Sequence, residues 1–360
     1  MTQHIRTESL GLPDVGGPAQ PLLIVRDLKK HFPVRSGLMG KAEKVHAVDG
    51  VSFRIGKGET LGIVGESGCG KSTTTRLLLD LTRRDAGEII FDGRGLGGGR
   101  DGISLKELRR GMQMVFQDSS TSLNPRARIL DIVMFPLRAA GVDRTKARDR
   151  ASMLLDRVGL HPQAFGHRFA HELSGGQRQR VNIARALATA PRLVILDEAV
   201  SALDKSVEAD VLNLLADLKA EEGLTYLFIS HDLGVVREVS DRVMVMYLGQ
   251  IAEIGPAETI YDRPGHPYTR ALLAAVPSLD PAKQIAEPPL KGDPPNPINP
   301  EPGCRFRARC PYAEGVCKAI DPAPVPVGEV EISCHMCNRA SGHSQAADWL
   351  DALTKETADA

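Results

Sequence analysis

Residues 65 to 72 read Gly-Glu-Ser-Gly-Cys-Gly-Lys-Ser, a spacing suited to holding the phosphates of a nucleoside triphosphate. Gly65, Gly68 and Gly70 allow a tight turn whose backbone N–H groups point inward at phosphate oxygens. Lys71 is placed to reach the β- and γ-phosphates, and the Ser72 hydroxyl to ligate Mg²⁺. Glu66, Ser67, Cys69 and Thr73 complete the stretch, with Cys69 read as a small filler in a free position rather than a redox switch. Further along, the apolar run Leu193-Val194-Ile195-Leu196 delivers Asp197 and Glu198. Asp197 can there hold Mg²⁺ through a water, and Glu198 is the candidate general base for the water that attacks the γ-phosphate.

These side chains need a frame that brings them to one edge. Residues 61–64, 112–116, 193–196, 226–229 and 242–247 read as strands, and residues 72–79 as the helix that adds its positive N-terminal end to the phosphate site. A second helix start is expected at Leu173-Ser174-Gly175-Gly176-Gln177, where Ser174 caps the helix and the glycines expose backbone N–H groups. Val181, Ala184, Leu187 and Ala188 share one face, so that helix packs while its tip stays free. Residues 118–190 read as mainly helical, with an amphipathic stretch around 147–158. Residues 34–44, rich in glycine and basic side chains, are expected to form a surface loop, and residues 1–20 a mobile leader.

In this order the motifs resemble the ATP-binding cassette (ABC) ATPases. Ser201-Ala202-Leu203-Asp204 matches that family's D-loop, although Ala199 stands where proline is frequent. The resemblance implies an α/β fold over residues 21–260: a RecA-like core, an antiparallel β subdomain and a helical subdomain inserted at about 118–190. It implies site roles as well. His231 matches the switch histidine that contacts the γ-phosphate, and Gln117 the Q-loop glutamine that reaches Mg²⁺ and senses a membrane partner. Phe32 matches the aromatic position that stacks on adenine, the alternative being a core phenylalanine at a strand end. Ser174, Gly175, Gly176 and Gln177 match the signature that binds the γ-phosphate held by the other cassette of a dimer, which makes dimerisation part of the mechanism.

Beyond residue 260 the chain departs from a minimal cassette. It reads Tyr-Asp-Arg-Pro-Gly-His-Pro-Tyr-Thr-Arg from residue 261, then Gly292-Asp293-Pro294-Pro295, then Gly303-Cys304-Arg305-Phe306. This region, taken over 261–345 before a tail at 346–360, resembles ATP-binding subunits of dipeptide and oligopeptide importers. The stretch from Gln117 to Arg126 has the same character, and residues 47–53 look closer to the second of the two paired ATPases. The resemblance implies ATP hydrolysis that powers uptake. It also implies a second ATPase subunit, two membrane permease subunits and an extracytoplasmic solute-binding protein, with this chain peripheral at the cytoplasmic face of the inner membrane. Nickel or another small solute is the alternative cargo, because the ATPase does not touch what is carried.

Five of the six cysteines lie beyond residue 300. Only Cys334-His335-Met336-Cys337 has zinc-type spacing, and the wider intervals among Cys304, Cys310 and Cys317 suit a cluster held by four thiolates. Importer ATPases with this tail resemble ones that carry a 4Fe–4S cluster, with Cys304, Cys310, Cys317 and Cys334 in the matching positions and Cys337 as an alternative fourth ligand. Zinc, or no metal, are the other readings. Composition agrees with the rest: 45 basic residues balance 45 acidic ones, which argues against an extended nucleic-acid surface. A soluble, non-transport ABC ATPase is the reading from another class. The single cassette and the lack of coiled-coil heptads oppose it.

Overall fold

The computed structural model describes residues 14–17, 19–35, 42–97, 99–116, 122–276 and 292–355. The strands in chain order are β1 (Leu23–Arg35), β2 (Ala42–Ile55), β3 (Thr60–Val64), β4 (Ala86–Phe91), β5 (Arg94–Gly95) and β6 (Met112–Val115). They continue as β7 (Leu193–Asp197), β8 (Thr225–Ile229), β9 (Arg242–Tyr247), β10 (Gln250–Pro256), β11 (Val325–Val327) and β12 (Val330–Ile332). The helices are α1 (Lys71–Leu78), α2 (Leu105–Gly111), α3 (Ile129–Ala139), α4 (Arg144–Arg157), α5 (Pro162–Phe165) and α6 (Gly175–Leu187). After these come α7 (Lys205–Glu222), α8 (Leu233–Val239), α9 (Ala257–Asp262), α10 (Pro267–Ala274), α11 (Gly315–Ala319) and α12 (Ala346–Lys355).

The larger sheet runs β11-β12-β10-β9-β3-β8-β7-β6, and its centre from β9 to β6 is parallel. Those strands are short apolar runs because both of their faces are covered. Side chains alternate between two cores, as a pleat of period two requires. Leu193, Ile195, Leu227, Ile229, Met244 and Met246 face the core shared with the antiparallel sheet β2-β1-β4-β5. Val194, Leu196, Tyr226, Phe228, Val243 and Val245 face the core shared with the helices. Parallel pairing puts the carboxyl ends of β3, β7 and β8 on one edge, with Asp197 level with Ile229. That edge is where chemistry can be assembled.

Among the described residues between β6 and β7 the regular elements are helices, and α3, α4 and α6 pack together through Val133, Leu137, Ala151, Leu154 and Val181, all fully buried. The expected loop at 34–44 is corrected at both ends. β1 extends through Val34 and Arg35 and pairs with Glu43 and Ala42 of β2, because backbone pairing does not depend on the apolar alternation that this stretch lacks. The end of the expected leader is anchored: Lys57 Nζ lies 2.7 Å from Asp14 Oδ1, and Val15 N–H donates to Asp92. Gln117 lies outside the described residues.

The segment from 261 onward folds back on the larger sheet. β12 pairs with β10, and buried Glu253 of β10 accepts N–H bonds from Gly265 (2.7 Å) and His266 (3.0 Å). Trp349 of α12 donates from its ring N–H to the Gly265 carbonyl at 3.0 Å. His266 is buried, and its Nδ1 accepts from the Tyr268 N–H, so the ring is held neutral and its pKa is pushed down to about 4. The unfolded chain therefore binds a proton that the fold refuses as pH falls from 6.5 toward 4. Stability from this group is complete above that range and falls by about 3 kcal/mol across it. Urea unfolding at both ends of the window should show that His266→Asn, which can still accept from Tyr268, loses this part of the acid limb.

Candidate nucleotide site

The phosphate loop leaves β3 at Gly65 and enters α1 at Lys71. Gly65 has φ +147°, and a Cβ there would meet the Met246 carbonyl oxygen at 2.2 Å. Gly70 has φ +107°, and a Cβ there would meet the Ala47 carbonyl oxygen at 2.3 Å. Both positions need glycine for conformation and for space. The Lys71 ammonium donates to the loop's own carbonyls, Gly65 at 2.6 Å and Glu66 at 3.0 Å. Cys69 is buried, and burial raises its thiol pKa, which disfavours the reactive thiolate.

The Ser72 hydroxyl donates to Asp197 Oδ1 at 3.3 Å. These are hard oxygen donors at the sheet edge, a set that fits Mg²⁺. Burial raises the Asp197 pKa, and the Ser72 bond opposes that shift. Glu198 follows with φ +50°, its N–H bonded to the Ile229 carbonyl at 2.9 Å. This turn carries the side chain out of the strand direction, and its Oε2 lies 3.7 Å from His231 Nδ1. His231 is exposed. The structure thus brings Lys71, Ser72, Asp197, Glu198 and His231 to one edge.

Phe32 lies on β1, 38 % exposed, with the Lys30 ammonium 5.4 Å from its ring centroid. It is not a core residue, which corrects that alternative. Ser174 caps α6, its hydroxyl accepting from the Gln177 N–H at 3.3 Å while its own N–H donates to Gln177 Oε1 at 3.1 Å. Ser174 is exposed, whereas Gly176 is buried under Val207, whose Cγ1 would sit 2.4 Å from an added Cβ. Asp204 is exposed at the N-terminus of α7.

Cys304, Cys310, Cys317 and Cys334 line one cavity together with His266 and Phe306. Burial pushes the Cys304 thiol up to about 12 and that of Cys310 up to about 11. Cys334 shares a hydrogen bond with Cys337, which raises its pKa further. Among the described residues, no three cysteine sulfurs lie within 4.8 Å of one another.

Residues 48–201 match the ABC transporter family, and residues 252–317 match the C-terminal region of oligopeptide/dipeptide transporters. The oligopeptide transport ATP-binding protein AppF of Bacillus subtilis is 50 % identical over 83 % of this chain and 92 % of its own length. The dipeptide transport ATP-binding protein DppF of Escherichia coli is 46 % identical over 88 % of this chain and 94 % of its own. This chain belongs to the ABC transporter ATP-binding proteins of the oligopeptide/dipeptide family. As such it is an ATP hydrolase with the mixed α/β cassette fold. A solved cassette, dimeric in a post-hydrolysis state with ADP and Pi, aligns at a TM-score of 0.56 and 27 % identity, covering 65 % of this chain and 98 % of its own.

Two further features of this ABC ATP-binding protein bear on its contacts, and only the second was not read from its sequence. One is a groove of about 940 Å³ between α2, β6 and α3, flanked by Leu81, Leu105, Phe116 and Phe135. Phe135 of α3 is 71 % exposed. The other is a set of contacts from the C-terminal region to the phosphate loop, made by Tyr268 and Arg309. No helix of the described residues is long and apolar enough to cross a membrane.

Proposed function

We propose that this chain binds MgATP on its phosphate loop, completes its site with a partner cassette, and so energises import of dipeptides or oligopeptides through membrane permease subunits. The observation that carries this reading is the near full-length likeness to peptide-transport ATP-binding proteins, which extends into the C-terminal region. Lys71 and the loop N–H groups hold the phosphates, Glu198 takes the proton of the attacking water, and His231 orients it beside the γ-phosphate. Ser72 and Asp197, with Gln117, would hold Mg²⁺, which offsets phosphate charge when bound. Phe32 stacks on adenine. Ser174, Gly175, Gly176 and Gln177 serve the partner's nucleotide, and Asp204 lies beside the dimer seam.

The partners on this reading are a second, related ATPase, two permease subunits and a solute-binding protein outside the membrane. The chain sits peripherally at the cytoplasmic face of the inner membrane. The groove beside Phe135 supports it, since an apolar cleft with a protruding aromatic suits a short cytoplasmic helix of a permease. Co-expressed with permease subunits and a partner ATPase of the same importer, the chain should drive ATP-dependent uptake of labelled dipeptide. Uptake of nickel without peptide would transfer the reading to the other cargo.

For the cysteines, the reading is a structural 4Fe–4S cluster on Cys304, Cys310, Cys317 and Cys334, with Cys337 as the alternative fourth ligand. The shared cavity supports it, and so do the intervals of five and six residues between Cys304, Cys310 and Cys317. Anaerobic purification should give a brown protein with iron and acid-labile sulfide, whereas a colourless protein with stoichiometric zinc would reverse the assignment.

A further inference from the structure

Glu66 occupies a position that the phosphate-loop motif leaves free, yet its three polar groups are all held. Its N–H donates to the Tyr268 hydroxyl at 3.0 Å. Its carbonyl accepts from Lys71 at 3.0 Å. Its carboxylate accepts both guanidinium arms of Arg309, at 2.7 and 3.1 Å. Arg309 is nearly enclosed, with 5 % of its side chain exposed, and Tyr268 is fully buried. A two-armed pair of this kind fixes orientation as well as distance.

The far side of the same loop rests on the turn between β9 and β10. The Cys69 carbonyl accepts from the Gly249 N–H at 2.8 Å. The neighbouring Leu248 carbonyl accepts from Arg305, which also bridges to Asp49. Arg305 follows Cys304, and Arg309 precedes Cys310. Both cysteines line the thiol cavity, and the Cys304 N–H donates to the Cys317 carbonyl at 2.8 Å. The cysteine-bearing fold thus carries both arginines: Arg309 reaches the phosphate loop at Glu66, and Arg305 reaches the turn between β9 and β10 beside it.

We propose that Arg309 is a positioning residue for the phosphate loop, through which the cysteine-bearing C-terminal fold controls nucleotide affinity. Nothing in a minimal phosphate loop requires a charged clamp from a segment more than two hundred residues away. The clamp acts on backbone that meets phosphate oxygens before and during hydrolysis alike. Its loss should therefore weaken binding more than it slows the bound step. Loss of Cys310, next to the clamp, should act through the same contact.

The test is titration of the full-length chain with a fluorescent ATP analogue and Mg²⁺, alongside steady-state ATPase of the assembled transporter. Arg309→Met keeps the apolar stem and removes both donors. It should weaken the analogue about fivefold or more, in the range of ordinary site-to-site coupling, and raise KM for ATP more than it lowers kcat. Arg309→Lys should recover part of the affinity. Cys310→Ser should weaken binding in wild type and add little to Arg309→Met. Unchanged affinity in Arg309→Met overturns the proposal. So does an equal fall of kcat and affinity that Lys fails to rescue, which would mark a merely structural residue. The proposal rests on the phosphate-loop reading, and Lys71→Ala separates the two: if that variant binds the analogue like wild type, the loop reading has failed and not the clamp.

Discussion

Glu198→Gln should cut ATP hydrolysis by ~10²–10⁴-fold, the usual contribution of a positioned general base, while leaving ATP binding in place. The side chain stands at the carboxyl end of β7, where φ +50° turns it out of the strand. Its N–H stays tied to Ile229 at 2.9 Å in either variant, because the substitution leaves the backbone alone. Gln has nearly the same shape and removes only the basic oxygen. The ATP-bound pair of cassettes should accumulate and elute as a closed dimer on size exclusion. Hydrolysis at the wild-type rate in the assembled transporter would remove Glu198 from the proton-accepting role.

Phe135→Asp should abolish peptide uptake without unfolding the chain. The ring is 71 % exposed on α3, so a surface substitution there should shift stability by only about 0.5 kcal/mol. In the assembled transporter the same ring would fill the contact with a permease helix, where a buried aromatic anchor is worth about 2 kcal/mol or more. A charge in its place weakens association by roughly 30-fold at least. Co-purification of the permeases with the variant checks this, together with its melting temperature. Normal co-purification would mean that the groove is not the docking surface.

The parallel strands and the phosphate loop were legible in the sequence because local rules decide them. Apolar runs such as 193–196 and 226–229 suit a sheet covered on both faces, and glycines at 65, 68 and 70 followed by Lys71-Ser72 suit a turn that closes on phosphate. The cap at Ser174 was legible for the same reason, as Gln177 completes it within one turn. The extension of β1 and β2 through residues 34–35 and 42–44 was hidden by glycine and basic residues, since backbone pairing carries no side-chain signature. The clamp on Glu66 was out of reach for another reason. Arg309 lies 243 residues away, and only the return of the C-terminal region onto the sheet joins them. His31, His46 and Asp49 are similar: stacked rings 3.8 Å apart share one carboxylate, which Arg305 also meets, so that group already has its cation.

On the proposed reading a second cassette completes the nucleotide site, with Ser174 exposed on α6 and the phosphate loop opening at the end of β3. The most direct measurement is the ATPase rate of the purified chain, held strictly monomeric by light-scattering criteria, against that of the same chain assembled with its permeases and partner ATPase. The assembly should hydrolyse ATP, lose that activity with Ser174→Arg, and far outpace the monomer. A monomer that turns over ATP at the full rate of the assembly, or an assembly indifferent to Ser174→Arg, would contradict it.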